Sequence, residues 1–242
     1  MNVAVREGRI YPSMLIKLTK YGLPQVFVFP ILILLAMAAC PIICLKVGPQ
    51  WIFWVIEILL SAILIWVLSF FRDPLRVIPT DKKIFLAPAD GKITDIEIVE
   101  NEYIGGKTLR IGIFLSIFDV HINRAPCDVR IENITYRKGR YRNAMNPASG
   151  RDNESNDLYL ARINEPEDRL VVRQISGAIA RHIVCRARAG EKLTGGQQFG
   201  MIKFGSRTEL YLPASGNIEI LVRTGDKVKA GLTVLARYKN PE

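Results

Sequence analysis

Two long apolar runs dominate the first third of the chain, and short apolar stretches broken by turn residues fill the rest. Residues 26–45, VFVFPILILLAMAACPIICL, carry no charge. As a helix, twenty residues rise about 30 Å, the hydrocarbon thickness of a bilayer. Pro30 and Pro41 would kink that helix, which lipid-embedded helices tolerate when neighbouring groups satisfy the freed carbonyls. Residues 51–71 form a second run, broken only by Glu57. Trp51, Trp54, Phe70 and Phe71 near its ends fit an aromatic belt. Only residues 46–50 separate the runs, so the pattern predicts a tightly turned helical hairpin. Glu57 reads either as a group facing a partner or lipid path, or as a charge that snorkels to the interface. The short distance along the helix favours the second reading.

After Pro79 the texture changes to short strands punctuated by Gly, Pro, Asp and Asn. Residues 83–100, KIFLAPADGKITDIEIVE, predict two strands around an Ala-Asp-Gly turn. Residues 108–116 predict a buried strand, and 129–144 alternate before turning basic. Residues 146–157 read as a polar loop, and 170–187 as a strand ending in a short helix. From Gly200 onward strands and turns follow one another. The fold class expected is α+β: a β-rich domain, residues 72–242, preceded by an N-terminal segment, 1–25, and a two-helix transmembrane hairpin, 26–71. PADGKITDIEIV and PASGNIEILV share a Pro-Ala-x-Gly start and read as two related β units. The second is similar to half of a lipoyl- or biotin-carrier sandwich, but no lysine flanked by Met stands at a hairpin tip, which argues against a carrier.

The net charge of +10 calls for an anionic partner. No cluster of Lys and Arg interleaved with aromatics favours nucleic acid, so an anionic lipid surface is the expected counter-charge. Arg6, Arg9, Lys17 and Lys20 precede the hairpin, Arg72, Arg76, Lys82 and Lys83 follow it, and the turn holds Lys46 alone. The positive-inside rule then puts both ends in the cytoplasm. No cleavable signal peptide is expected, because the first apolar run starts late. The four cysteines have no Cys-x-x-Cys spacing and read as reduced structural residues. Two histidines, His121 and His182, are too few for a zinc site.

Three polar positions are candidates for chemistry. Gly205-Ser206, between strands, is by itself an ordinary turn, although glycine permits strain beside a hydroxyl. His121 follows an apolar strand within IFLSIFDVHINRAP (113–126), where Asp119, Asn123 and Arg124 add polar groups at the strand end. Asp90 lies in the Pro-Ala-Asp-Gly turn. An Asp, a His and a Ser can serve as orienting group, base and nucleophile if the fold brings them together.

Taken in order, several segments resemble the phosphatidylserine decarboxylase family over most of the chain after the hairpin. They are FFRDPLRVIP (70–79), APADGKI (87–93), FLSIFDVHINRAP (114–126), ESND (154–157), QISGAIARHIVC (174–185) and GEKLTGGQQFGMIKFGSRTELYLP (190–213). Many long-form members carry Leu-Gly-Ser-Thr where this chain has Phe204-Gly205-Ser206-Arg207. Ile117 stands where Pro is common, and His182 where Arg is common.

The resemblance implies a self-processing enzyme. Ser206 Oγ attacks the Gly205 carbonyl, with His121 as base and Asp90 orienting it. The chain then parts into residues 1–205 and 206–242, held as an α/β heterodimer, and Ser206 becomes a pyruvoyl group. The resemblance further implies that this group forms a Schiff base with the amine of a serine phospholipid and acts as an electron sink for decarboxylation, the role PLP plays elsewhere. No metal is implied. The implied location is the inner membrane, with the catalytic domain on its cytoplasmic face. Two other readings stay open: a non-catalytic membrane-anchored β module that binds a partner or lipid, and a membrane-tethered peptidase-like β domain.

Overall fold

The computed structural model describes residues 4–6, 9–11, 17–47, 49–142, 144–146, 149–177, 182–203 and 206–239. The chain divides into two compact units, Leu15–Pro74 and Met1–Met14 with Leu75–Glu242. Two short strands, β1 (Ala4–Arg6) and β2 (Arg9–Tyr11), pair antiparallel near the N-terminus.

The smaller unit runs β3 (Lys17–Leu18), α1 (Gln25–Val47), α2 (Gln50–Phe70) and β4 (Arg72–Asp73). Both helices are long and apolar enough to cross a membrane, and they pack on one another. Side chains such as Phe27, Ile31, Leu35, Ile58 and Ile65 stay exposed, as lipid-facing groups do. The helices reach Val47 and restart at Gln50, so the connection is shorter than the five residues expected. Trp51 and Trp54 are exposed, as an aromatic belt requires, but Phe70 and Phe71 are not. Those two are buried, with rings 5.1 Å apart. The pairing of β3 with β4 brings residues 19–22 against the end of α2, where the Thr19 N–H donates to the Phe71 carbonyl at 2.9 Å. Glu57 is half-buried on α2.

The larger unit continues with β5 (Ile84–Leu86), β6 (Gly91–Asn101), β7 (Gly106–Leu115), β8 (Ile122–Arg124) and β9 (Val129–Arg137). A single turn, α3 (Ser149–Asp152), leads to β10 (Ser155–Arg162) and β11 (Arg169–Ile175). Then come β12 (His182–Cys185), β13 (Lys192–Leu193), β14 (Gln198–Lys203), β15 (Ser206–Pro213), β16 (Ile218–Ile220), β17 (Lys227–Val228) and β18 (Val234–Tyr238). The main sheet has eight strands in the order β13-β9-β10-β11-β15-β7-β6-β17. Two three-stranded sheets, β12-β14-β8 and β16-β18-β5, complete the unit. With the two apolar helices, this is the α+β, β-rich class that the sequence predicts.

Three local expectations change. The polar loop expected over 146–157 is shorter, because α3 and the start of β10 occupy its second half. The helix expected after the strand at 170 is a strand over 182–185, and residues 178–181 lie outside the described residues. The two Pro-Ala-x-Gly units separate, since one opens β6 in the main sheet and the other leads into β16 in a small sheet.

The period of two decides what each face of the main sheet buries. Leu109, Ile111, Ile113 and Leu115 of β7 share a face with Leu210 and Leu212 of β15 and with Leu170 and Val172 of β11. Phe85, Phe199 and Leu235 help to close that core. The opposite face holds an ion cluster instead. Arg207, fully buried, donates to both Asp95 oxygens at 2.8 and 2.7 Å, to Glu209 Oε1 at 2.8 Å and to Thr94 Oγ1 at 2.6 Å. Glu209 also accepts from the Tyr211 hydroxyl at 2.6 Å. A buried cation is tolerable only when its donors are filled in this way. Gly112 makes the room: a Cβ there would lie 2.0 Å from Arg207 Nη2 and 2.5 Å from Asp95 Oδ2.

Gly112→Ala should therefore destabilise the chain by about 1–3 kcal/mol, the usual cost of overpacking, read as a lowered thermal midpoint in detergent. Burial pushes the Asp95 carboxyl up, but the Thr94 hydroxyl and Arg207 outweigh it and hold the group below its ordinary value of 3.8. A lowered folded-state value stabilises the fold above the unfolded value, and that contribution is lost as pH falls through the folded value. Asp95→Asn should accordingly flatten the acid side of a thermal midpoint–pH curve, and an unchanged slope would contradict this.

Candidate active site

Ser206 is the first residue of β15, and its Cα partner on β7 is Leu115. It shares the core face with Thr208 and Leu210, because alternate residues of a strand point the same way. Ser206 is fully buried, and its Oγ has no hydrogen-bond partner among the described residues. Leaving a buried hydroxyl unpaired costs about 1–3 kcal/mol, so such atoms call for an explanation. Gly205, the other half of the expected cleavage site, lies outside the described residues.

His121 stands just before β8, in the segment that follows β7. Its ring is fully buried, and Nδ1 lies 2.9 Å from the Asp119 carbonyl oxygen. A carbonyl only accepts, so Nδ1 carries the proton, and in the neutral ring Nε2 holds the lone pair. The turn leading to it is closed twice: the Asp119 N–H donates to the Ser116 carbonyl at 2.9 Å, and Asp119 Oδ2 accepts the Ser116 N–H at 2.8 Å. The His121 carbonyl accepts from the Ile202 N–H at 3.2 Å, and Ile122 is paired with Met201. Strand β14 thus holds the histidine beside Ile202, four residues before Ser206.

Asp90 ends the loop before β6, whose Lys92 is the Cα partner of Phe114 on β7. It therefore belongs to the same end of the sheet as Ser206. Its carboxylate accepts three hydrogen bonds from Arg76 and Ala230. Arg76 donates to Oδ1 at 2.6 Å and to Oδ2 at 2.8 Å, and the Ala230 N–H donates to Oδ1 at 2.8 Å. Arg76 also donates to the Ala230 carbonyl. The resemblance implied that Asp90 orients His121; in the structure the carbonyl of Asp119 bonds the ring, while Asp90 forms a clamp with Arg76 and Ala230.

Next to Ser206 runs a buried amide relay. Asn156 Nδ2 donates to Gln174 Oε1 at 3.0 Å, Gln174 Nε2 to Asn123 Oδ1 at 2.9 Å, and Asn123 Nδ2 to Thr208 Oγ1 at 3.0 Å. Of this relay only Asn123 stood out in the sequence, as a polar neighbour of His121; Gln174, Asn156 and Arg76 did not stand out as functional. The available signal was parity: Gln174 and Asn156 occupy positions where Val172 and Leu158 point into the core. Lys203, at the end of β14, is buried, and desolvation lowers its pKa. Its Cα partner His182 is exposed.

This arrangement provides a desolvated hydroxyl, an imidazole with a fixed tautomer, and amide donors aligned on one face. Cys127 and Cys185 offer no rival nucleophile: burial pushes the Cys127 thiol up to about 12 and raises Cys185 as well.

Residues 63–236 match the family model described as phosphatidylserine decarboxylase. The chain is similar to proteins named phosphatidylserine decarboxylase proenzyme. One, from Carboxydothermus hydrogenoformans, is 44% identical over 188 residues, covering 77% of this chain and 86% of the relative. Another, from Rhodopirellula baltica, is 43% identical over 199 residues and covers 81% of each. A third, from Nitrosomonas eutropha, is 44% identical over 186 residues, covering 77% and 83%.

The clamp generates a stability prediction. Arg76→Met leaves the Asp90 carboxylate, its side chain 11% exposed, with a single N–H donor. Breaking a buried pair in this way should cost roughly 3–5 kcal/mol, seen as a large drop in thermal midpoint. The double variant Arg76→Met/Asp90→Asn should recover part of that loss; no recovery would mean that the pair is not coupled.

Proposed function

The chain belongs to the phosphatidylserine decarboxylase family, and from that premise we propose that it cleaves itself at Gly205-Ser206 and then decarboxylates phosphatidylserine to phosphatidylethanolamine. The observation that carries this reading is the Ser206 hydroxyl, fully buried and unpartnered among the described residues at the first position of β15. A hydroxyl held out of water beside a glycine has little to do structurally, and a group of this kind suits nucleophilic chemistry.

In the proposed self-cleavage, Ser206 Oγ adds to the Gly205 carbonyl carbon while His121 Nε2 takes the hydroxyl proton. The C–N bond breaks, its nitrogen is protonated, and an ester joins residues 205 and 206. Loss of the Ser206 α-proton with departure of the Gly205 carboxylate opens the chain. Water then replaces the resulting enamine nitrogen, releases ammonia and leaves a pyruvoyl group at position 206. The orphaned Ser206 atom at a desolvated strand end supports a group of that size and origin there.

When formed, the pyruvoyl group supplies the electron sink that lets carbon dioxide leave the serine α-carbon. His121 holds a proton at Nε2 for return to that carbon. The relay ending on Thr208 excludes water and fixes the face on which the head group lies. Asp90 acts with Arg76 as a positioning pair, pinning the Pro-Ala-Asp-Gly turn to Ala230 of the C-terminal piece. That piece stays bound because β15 lies between β11 and β7, β17 pairs with β6, and β18 pairs with β5. The two apolar helices associate the chain with a membrane. The cations flanking them support insertion with both ends cytoplasmic, hence a catalytic unit on the cytoplasmic face of the inner membrane.

The 27.3 kDa chain should therefore yield two species, about 23 kDa for residues 1–205 and about 4 kDa for residues 206–242 by residue count. Ser206→Ala should remain intact on mass analysis and convert no phosphatidylserine. His121→Gln should slow self-cleavage roughly 100-fold or more, the lower range of general-base effects. Active protein that contains only intact chain would overturn the reading.

A further inference from the structure

One edge of the main sheet carries more than the reactive serine. Arg137 on β9, Ser155 on β10, Ile175 on β11, Arg207 on β15 and Phe114 on β7 are successive Cα partners across it. Strands β9 and β15 are three steps apart, about 14 Å at the usual strand spacing. The chain that continues past Arg137 therefore leaves the sheet at the same end as Ser206. Residues 133–151 contain five cations and no Asp or Glu. Arg137, Lys138, Arg140, Tyr141 and Arg142 are all exposed. From the same end, three residues beyond the Ser206 partner Leu115, Phe118 projects with 69% of its surface exposed.

Neighbouring acids cancel one of these charges, that of Arg142, and are otherwise engaged elsewhere. Asp152 is taken by Arg142 at 2.9 Å, and Glu154 Oε1 accepts from the Tyr136 hydroxyl at 2.8 Å. Asp157 is held by Arg173 at 2.6 Å. Among the described residues, the Lys138 and Arg140 side chains have no acidic partner.

We propose that this basic and aromatic rim is a docking surface for an anionic phospholipid bilayer, and that it sets the sheet end that carries Ser206 against the head-group layer. The proposal rests on the function argued above. Cations near such a surface gain attraction individually, and exposed aromatic rings settle at head-group depth. A lipid head group remains tied to its acyl chains, so a soluble unit that modifies it has to bring its site mouth to that layer. A charged rim at the sheet end that carries Ser206 supplies that orientation.

The test uses the full chain in nanodiscs of phosphatidylcholine alone, or of one part phosphatidylglycerol to two parts phosphatidylcholine. Tyr141→Cys is labelled with an environment-sensitive dye. Its emission should shift to the blue in the anionic discs only, revert at about 0.5 M salt, and fail to shift when Lys138→Gln/Arg140→Gln is added. Identical emission in both discs would overturn the proposal. Separately, Lys138→Gln/Arg140→Gln should slow phosphatidylserine turnover about tenfold in anionic discs, while self-cleavage and turnover in detergent micelles stay unchanged. Equal loss in discs and micelles, or no loss in either, would overturn it as well. The dye reads docking whether or not the chain decarboxylates, so failure of the Ser206 chemistry and failure of docking give different results.

Discussion

The burial of residue 206 at the head of β15 is the constraint on which everything else depends. That strand is bonded to β11 on one edge and to β7 on the other. Its core face packs into the apolar centre through Leu210 and Leu212, and its other face is locked by Arg207 and Glu209 among Asp95, Thr94 and Tyr211. A strand end normally frays, and a frayed end would let its first side chain reach water. Here both edges are paired within one residue of Ser206, and the faces are held from Arg207 and Thr208 onward. The fold can therefore hold an unpaired hydroxyl out of solvent, at a cost of about 1–3 kcal/mol, against the stabilisation of the surrounding sheet. The same interactions explain how a C-terminal piece of 37 residues, from 206 to 242, would remain in place once the chain is cut. It supplies the centre of the main sheet and is not an appendage.

Much of this was legible in the sequence, for identifiable reasons. The hairpin declares itself because lipid-facing helices need long uncharged runs, and α1 and α2 fall on those runs. Strands such as β7 and β15 show themselves through β-branched and apolar residues bounded by turns. What failed did so where tertiary packing overrides local pattern. Phe70 and Phe71 look like interfacial aromatics, yet the pairing of β3 with β4 buries them. Residues 182–185 look capable of helix, yet β14 offers them a strand partner.

The segments bearing Asp90, His121 and Ser206 were visible in order, but their bonding was not. Whether a carboxylate meets a histidine or an arginine depends on contacts far apart in sequence: Arg76 reaches Asp90 across 14 positions and Ala230 across 154. Arg207 seemed only a departure from the usual residue after the reactive serine. Its role as the centre of an ion cluster needed Gly112 and Asp95 to be seen beside it. The amide relay through Asn123, Gln174 and Asn156 is likewise spread over three strands, with no local spacing to betray it.

The central claim is that position 206 ceases to be a serine. Its most direct test is the intact mass of the small fragment from purified wild-type protein. A fragment beginning at residue 206 and lighter than the serine-started peptide by one ammonia is the predicted result. A fragment with the unmodified serine mass, in a preparation that converts phosphatidylserine, would contradict the account.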